Sequence, residues 1–220
     1  MTQLGENAAI QSREMQAPIK AATDSANAAI ASNQIAVTTA EQQLRAYVTA
    51  QEINLTTHRH PDRTSTESYA IVIPGAIHTY RLAVVLKNGG QTPAINCKIN
   101  FSCEKFNGDI PADSSFPDSK LFGSALIGPQ TVSYTPSIQI VARELENSAL
   151  PATRYLWGWI EYDDIFRGTT RHRTEFCFQV VFERLEPTNE SWLAFLPYSK
   201  FNAADGGCLR PVDPHTNKSC

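Results

Sequence analysis

No apolar run in these 220 residues approaches the roughly 20 needed to span a bilayer. Met1 to Asn7 lack the charged and apolar regions of a signal peptide, so as written the chain is expected to be soluble. Its 19 basic and 22 acidic side chains nearly cancel, and no basic cluster provides the footprint that nucleic-acid binding requires. There is no C-x-x-C, which removes the common zinc and thioredoxin spacings. G-x-S-x-G and a glycine-rich phosphate loop are missing too, as is any internal repeat. The sequence thus names no reaction, and what it offers is architecture.

Cysteine is scarce and odd in number, five in all. Cys97 and Cys103 fall on one face of a single expected strand, about 20 Å apart at strand rise, too far to bridge. Cys177 faces opposite to the phenylalanines of its own strand. These three read as small buried hydrophobes. Cys208 and Cys220 flank a proline-containing tail and could pair in an oxidising compartment.

What is abundant is alternation. Tyr155 to Phe182 forms two arms with strand period: Tyr155, Trp157, Trp159 and Glu161 against Leu156, Gly158, Ile160 and Tyr162, then Phe176, Phe178, Val180 and Phe182 against Cys177, Gln179, Val181 and Glu183. A polar reversal from Asp163 to Thr174, with Gly168 free to take a positive backbone angle, joins them. This long hairpin is expected at the centre of the core, with Phe176, Phe178 and Val180 inward and at least one of Trp157 and Trp159 buried. Each buried ring removes about 150–250 Å² from water, worth several kcal/mol at about 25 cal/mol per Å².

The remainder divides by composition. Residues 1–17 read as a flexible N-terminus. Over 18–46 an alanine-rich stripe, Ile19, Ala22, Ala26, Ile30, Asn33, Val37, Ala40 and Leu44, has helical spacing, with Pro18 suited to the first helical position. The helix reads as a stalk or linker, and as a coiled coil if Asn33 sets register. Residues 47–197 hold the strands. Tyr47 to Leu55 is an edge-type strand, Thr56 to Ser68 a polar loop, and Tyr69 to Ile73 a short apolar run. Tyr80, Leu82, Val84 and Leu86 alternate, as do Ile95, Cys97, Ile99, Phe101 and Cys103 against outward Asn96, Lys98, Asn100 and Ser102. Phe106 to Gly128 reads as an irregular connection, Thr131 to Ile140 as a strand broken by Pro136, and Val141 to Asn147 as a short helix. Trp192, Leu193, Phe195 and Leu196 are expected to dock on the domain, and 198–220 to form an irregular tail whose last dozen residues are disordered. Short strands between turn signals, without alternating helices, predict a mainly β fold: an antiparallel, Ig-like two-sheet β-sandwich after a long N-terminal helix.

Candidate chemistry is thin. His58-x-His60-x-Asp62, with His78 and His172 elsewhere, has the alternate spacing a metal could use, but a threonine-rich loop with His-Pro-Asp reads better as solvated turn residues. Asp163, Asp164 and His172 could meet across the hairpin turn as a hydrolytic or metal-dependent site. Pairing of those aspartates with Arg167, Arg171 or Arg173, or with loop amides, explains them as readily. No catalytic, cofactor-binding or metal residue is assigned.

Three segments in order, Leu44 to Val48, Asn88 to Ala94, and Gly158 to Phe166 followed by His172 to Phe178, resemble an uncharacterised bacterial family. In that family a membrane anchor and helical stalk precede an Ig-like β-sandwich. The resemblance covers about residues 30–183 and carries no activity with it. It implies membrane association through an upstream anchor that this sequence lacks. The expectation is a non-catalytic structural or protein-interaction module on a helical stalk. Its partner is another protein or its own copy, engaged through the helix. The alternative is an enzyme at Asp163, Asp164 and His172.

Overall fold

The computed structural model describes residues 3–59, 63–67, 70–72, 77–111, 114, 118, 122–146, 152–185, 190–210 and 212. The chain divides into two units at Leu44/Arg45. The first is one helix, α1 (Gln3–Leu44), of 42 residues, about 63 Å at 1.5 Å per residue. It begins upstream of the expected start: Pro18 lies inside it, where its ring leaves the Glu14 carbonyl without an N–H partner. Residues 14–40 are all exposed, including Ile19, Ile30 and Val37 of the stripe.

The second unit is built from two antiparallel sheets. One contains β1 (Val48–Arg59), β2 (Arg63–Glu67), β4 (Ile77–Asn88), β7 (Val132–Tyr134) and β8 (Ile138–Val141), with β4 flanked by β1 on one side and by β7 and β8 on the other. The other contains β3 (Ala70–Val72), β5 (Ala94–Asn107), β6 (Phe122–Ile127), β9 (Ala152–Asp163), β10 (His172–Leu185), β11 (Glu190–Pro197) and β12 (Ala203–Ala204). A short helix, α2 (Ala142–Glu146), follows β8. The fold is mainly β, a two-sheet sandwich preceded by a helix.

Alternation decides what the sandwich buries. Leu55, Leu82, Val84 and Leu86 of the first sheet meet Ile99, Phe101, Leu156, Ile160, Phe176, Phe178 and Val180 of the second in one core. Gly158 sits where its cross-strand neighbours on both sides are phenylalanines, Phe101 and Phe176. Only a residue without Cβ leaves room there: an added one would lie 2.5 Å from both the Phe176 ring and the Asn100 carbonyl oxygen.

Several segments differ from expectation. Thr56 to Arg59 continue β1, which pairs with β2 as a hairpin rather than a loop. The stretch from Phe106 to Gly128 includes β6, paired with β5. Asn96 takes a left-handed φ of 50° at a bulge between Ala94 and Cys97, so Ala94 and Cys97 enter the core while Ile95 is left half-buried. Asn100 and Ser102, expected outward in water, are buried. Residues 60–62, 73–76, 186–189 and 213–220, with Cys220, lie outside the described residues.

The largest correction concerns the other face of β9. Tyr155, Trp157 and Trp159 are buried in a second cluster with Ile110 and Cys177, outside the sandwich core. Residues of the expected irregular tail help cover it: Tyr198 packs edge-on to Tyr155 with centroids 4.8 Å apart, and the Asn202 side chain accepts from the Cys177 amide at 2.9 Å. The tail also adds β12 to β10 and makes a 3-10 turn at Asp205–Gly207.

The Asn88–Ala94 segment is more than a turn. The Asn88 Oδ1 atom accepts from the amides of Tyr47 and Gly90, and its Nδ2 donates to the carbonyls of Thr92 and Ile127. A side chain at Gly90 would collide with the backbone of Arg45–Tyr47. The incoming segment is also held by the Tyr162 hydroxyl, which accepts from Val48 N–H at 3.2 Å, and by Thr174, which donates to the Val48 carbonyl at 2.8 Å.

Candidate functional site

The β9–β10 register places His172 opposite Tyr162 and leaves 164–171 as the connecting loop. Gly168 adopts a φ of 84° there, the left-handed geometry glycine accepts without strain. Asp164 organises this loop. Its Oδ1 accepts from Phe166 N–H at 2.9 Å and from the Thr169 hydroxyl at 2.6 Å. Its Oδ2 lies 3.2 Å from His172 Nε2. Asp164 and His172 therefore meet, as hairpin geometry suggested. Asp163 does not join them: it turns to Arg171 at 3.0 Å and Asn96 at 3.1 Å.

Sequence reasoning missed the third member. Asp205, in the 3-10 turn, places both carboxylate oxygens 3.2 Å from His172 Nδ1, accepts from Arg173 N–H at 3.2 Å, and faces Arg45 at 3.9 Å. Both ring nitrogens of a buried imidazole thus face carboxylates. The hydrogen bond to Asp205 holds the His172 pKa above its ordinary 6.5 against the opposing effect of burial, and Asp164 adds to it. For Asp205 burial acts upward, but the hydrogen bonds from His172 and the Arg173 amide prevail and lower its pKa.

Beside this trio, the outward face of β9 and β10 carries a buried ion network. Glu161 lies 2.7 Å from Arg173 and 3.5 Å from Arg171. Arg173 also meets Glu175 at 2.9 Å and stacks on Trp159, 4.5 Å from the ring centre. Glu175 in turn accepts from the amides of Leu209 and Arg210. Glu161, Asp163, Asp164, Glu175 and Asp205 are opposed by Arg45, Arg171 and Arg173, and a protonated His172 brings the balance closer.

Chemically this is a staple. A general base needs an imidazole nitrogen free to take a proton, and here each faces an acceptor. The Thr169 hydroxyl is engaged with Asp164 and the Phe166 carbonyl. Cys97, Cys103 and Cys177 are poor nucleophiles: burial pushes Cys177 up to about 12 and Cys97 and Cys103 up to about 11. Among the described residues no group of three His, Cys, Asp or Glu is placed to hold a metal ion. His60 and Asp62, and the side chains of His58 and His78, lie outside the described residues.

Two hollows lie among the described residues. One of about 410 Å³ is lined by Ile53, Phe178, Trp192, Phe195 and Pro197, with Glu52 at its side. Another of about 300 Å³ lies beside Cys103, Gln139 and the Arg154–Glu144 pair, whose atoms are 2.6 Å apart. The second also holds Ser102 and Glu104; there Glu144 is paired with Arg154 and burial pushes the Cys103 thiol up to about 11.

No protein-family model matches this chain, and no curated protein or solved structure matches it either. The structure supports the coarser part of the resemblance, an N-terminal helix followed by mostly antiparallel sheets. Among the described residues no helix is long and apolar enough to cross a membrane.

Proposed function

We propose that this chain is a non-catalytic protein-interaction module, an Ig-like β-sandwich carried on a helical stalk that associates with a second copy as a coiled coil. The observation that carries the reading is the helix: Ile19 is 63 %, Ile30 57 % and Val37 58 % exposed, all on one stripe. Asn33 lies within that stripe, where a polar residue sets register at a cost in stability. A helix so poor in apolar area gains most of its stability from packing, which favours a partner. The hydrolase alternative at Asp163, Asp164 and His172 is less well supported, because Asp163 is engaged elsewhere and both nitrogens of His172 are occupied.

Sedimentation of the full chain and of residues 41–220 tests this. Concentration-dependent self-association in the first, abolished in the second and weakened by Ile30→Ser with Val37→Ser, is expected. A full chain that stays monomeric at the highest attainable concentration overturns the coiled-coil reading. Hydrolytic turnover lost in His172→Gln would overturn the non-catalytic one.

A further inference from the structure

We propose that His172 is a proton-operated latch that fastens the Asp205–Cys208 turn to the sandwich and lets it go when the ring loses its proton. This reading is independent of what the helix binds.

The argument starts from hydrogen-bond inventory. A protonated imidazole carries two N–H donors, one for each facing carboxylate. A neutral ring carries one, so its bare nitrogen would confront an anion at 3.2 Å, and one of the two contacts has to open. The surroundings decide which. The Asp164 side chain is fully buried, while that of Asp205 is 41 % exposed. Asp164 is tied to Phe166 and Thr169; Asp205 is the one with water to turn to, giving up its contacts with Arg173 N–H and Arg45. Asp205 also holds a left-handed φ of 48°, a conformation that costs a non-glycine residue energy, so release relaxes its backbone.

Among the described residues, charged groups reach the ring from three elements. Asp164 comes from the hairpin loop, Asp205 from the 3-10 turn and Arg45 from the incoming segment, and the Tyr162 ring of β9 packs 5.4 Å away. The Tyr162 phenol is held up at about 12, mainly by burial, so it stays neutral across the range in which His172 titrates. The effect of release is confined, because the flanks have other anchors. Asn202 is bonded to Cys177 on one side, and Leu209 N–H to Glu175 on the other. Between them β12 pairs with β10 and the Cys208 thiol lies 3.4 Å from the Arg173 carbonyl, while the turn itself is closed by the Asp205 carbonyl accepting from Cys208 N–H at 3.0 Å and joined to the ring by the Asp205 carboxylate.

Nuclear magnetic resonance of the full chain tests this, following the His172 ring and amide exchange protection from pH 5 to 9. The ring is expected to titrate with a midpoint above 6.5, and protection at Cys208 to fall about tenfold or more with the same midpoint. Phe166, reporting the Asp164 side, and Leu209 should keep their protection. In Asp205→Asn the ring midpoint should drop. Protection at Cys208 that ignores the ring's titration overturns the proposal, as does loss at Phe166 in its place, or a ring midpoint at or below 6.5.

Discussion

Replacing Gly158 with alanine adds one methyl group where the second sheet has no space. The new Cβ would stand 2.5 Å from the Asn100 carbonyl oxygen and from the Phe176 ring. An ordinary contact begins near 3.4 Å, so about 0.9 Å must be found by moving atoms that are themselves fixed. The carbonyl belongs to β5, paired with β9 along the whole strand. Phe176 is fully buried and packed against Phe101 and Phe178, with centroids 6.3 and 6.4 Å away. Neither can swing aside into solvent. Overpacking of this kind costs about 1–3 kcal/mol and occasionally more, and with backbone as one of the obstacles the upper end applies. For a domain of this size about 3 kcal/mol lowers the melting temperature by about 6–12 °C. Urea unfolding followed by tryptophan fluorescence should show the midpoint fall by about 1 M or more. Gly168→Ala is the control: it also replaces a glycine, and it strains a φ of 84°, but nothing lies within 4 Å of its added Cβ. Its cost should be about 1–2 kcal/mol, backbone strain alone. If Gly158→Ala proves no worse than Gly168→Ala, the close approach of β5, β9 and Phe176 is wrong.

Other perturbations separate the layers of the molecule. Phe178→Ala empties a buried site in the inter-sheet core and should cost about 3–5 kcal/mol; a urea midpoint equal to that of the unaltered chain would misplace that face. Glu161→Gln leaves Arg173 and Arg171 without a shared anion and should cost about 3 kcal/mol, whereas exposed Glu14→Gln should change the midpoint negligibly. The pH dependence of stability has a fixed sign. His172 is raised above 6.5, so its contribution is complete below that pH and is lost as pH rises through the folded-state value. Asp205 is lowered below 3.8, so its contribution is present above that pH and is lost as pH falls through the folded-state value. Urea midpoints measured from pH 3 to 9 should therefore peak between the two, and His172→Gln should flatten the alkaline limb and also weaken the acid one, since, against the upward effect of burial, His172 is the leading cause of the lowered Asp205 pKa.

The parts of the fold that could be read in advance are those where side-chain period alone carries the information. Phe176, Phe178 and Val180 share a face in any extended strand, and so do Leu82, Val84 and Leu86; the structure buries both sets in one core. The proximity of Asp164 and His172 follows from the hairpin they bracket. By contrast, β2 (Arg-Thr-Ser-Thr-Glu) and β6 have no apolar alternation of their own, and they are strands because β1 and β5 offer them free backbone groups. A partner strand far away in sequence decides such segments, and local composition cannot.

Asp205 was invisible for a related reason: it lies 33 positions from His172, in a stretch whose glycines and prolines read as a tail. Yet the hairpin held a signal that such a tail was needed. Alternation shows which residues share a face and leaves open whether that face is wet. Tyr155, Trp157 and Trp159 stand on the face opposite Leu156 and Ile160, so the second sheet is rich in large apolar groups on both sides. A sandwich of two sheets covers only one of those sides. Exposing three adjacent aromatic rings would leave a large apolar patch in water, so some third layer had to exist. The connection after β5 and the chain beyond β11 supply it, through Ile110, Tyr198 and Phe201. Once that layer lies on the sheet, the charged residues continuing the same face, Glu161, Arg173 and Glu175, are buried with the rings. Buried charges require partners, and Glu175 takes the Leu209 and Arg210 amides as its own, while His172 and the Arg173 amide fix where Asp205 comes to rest.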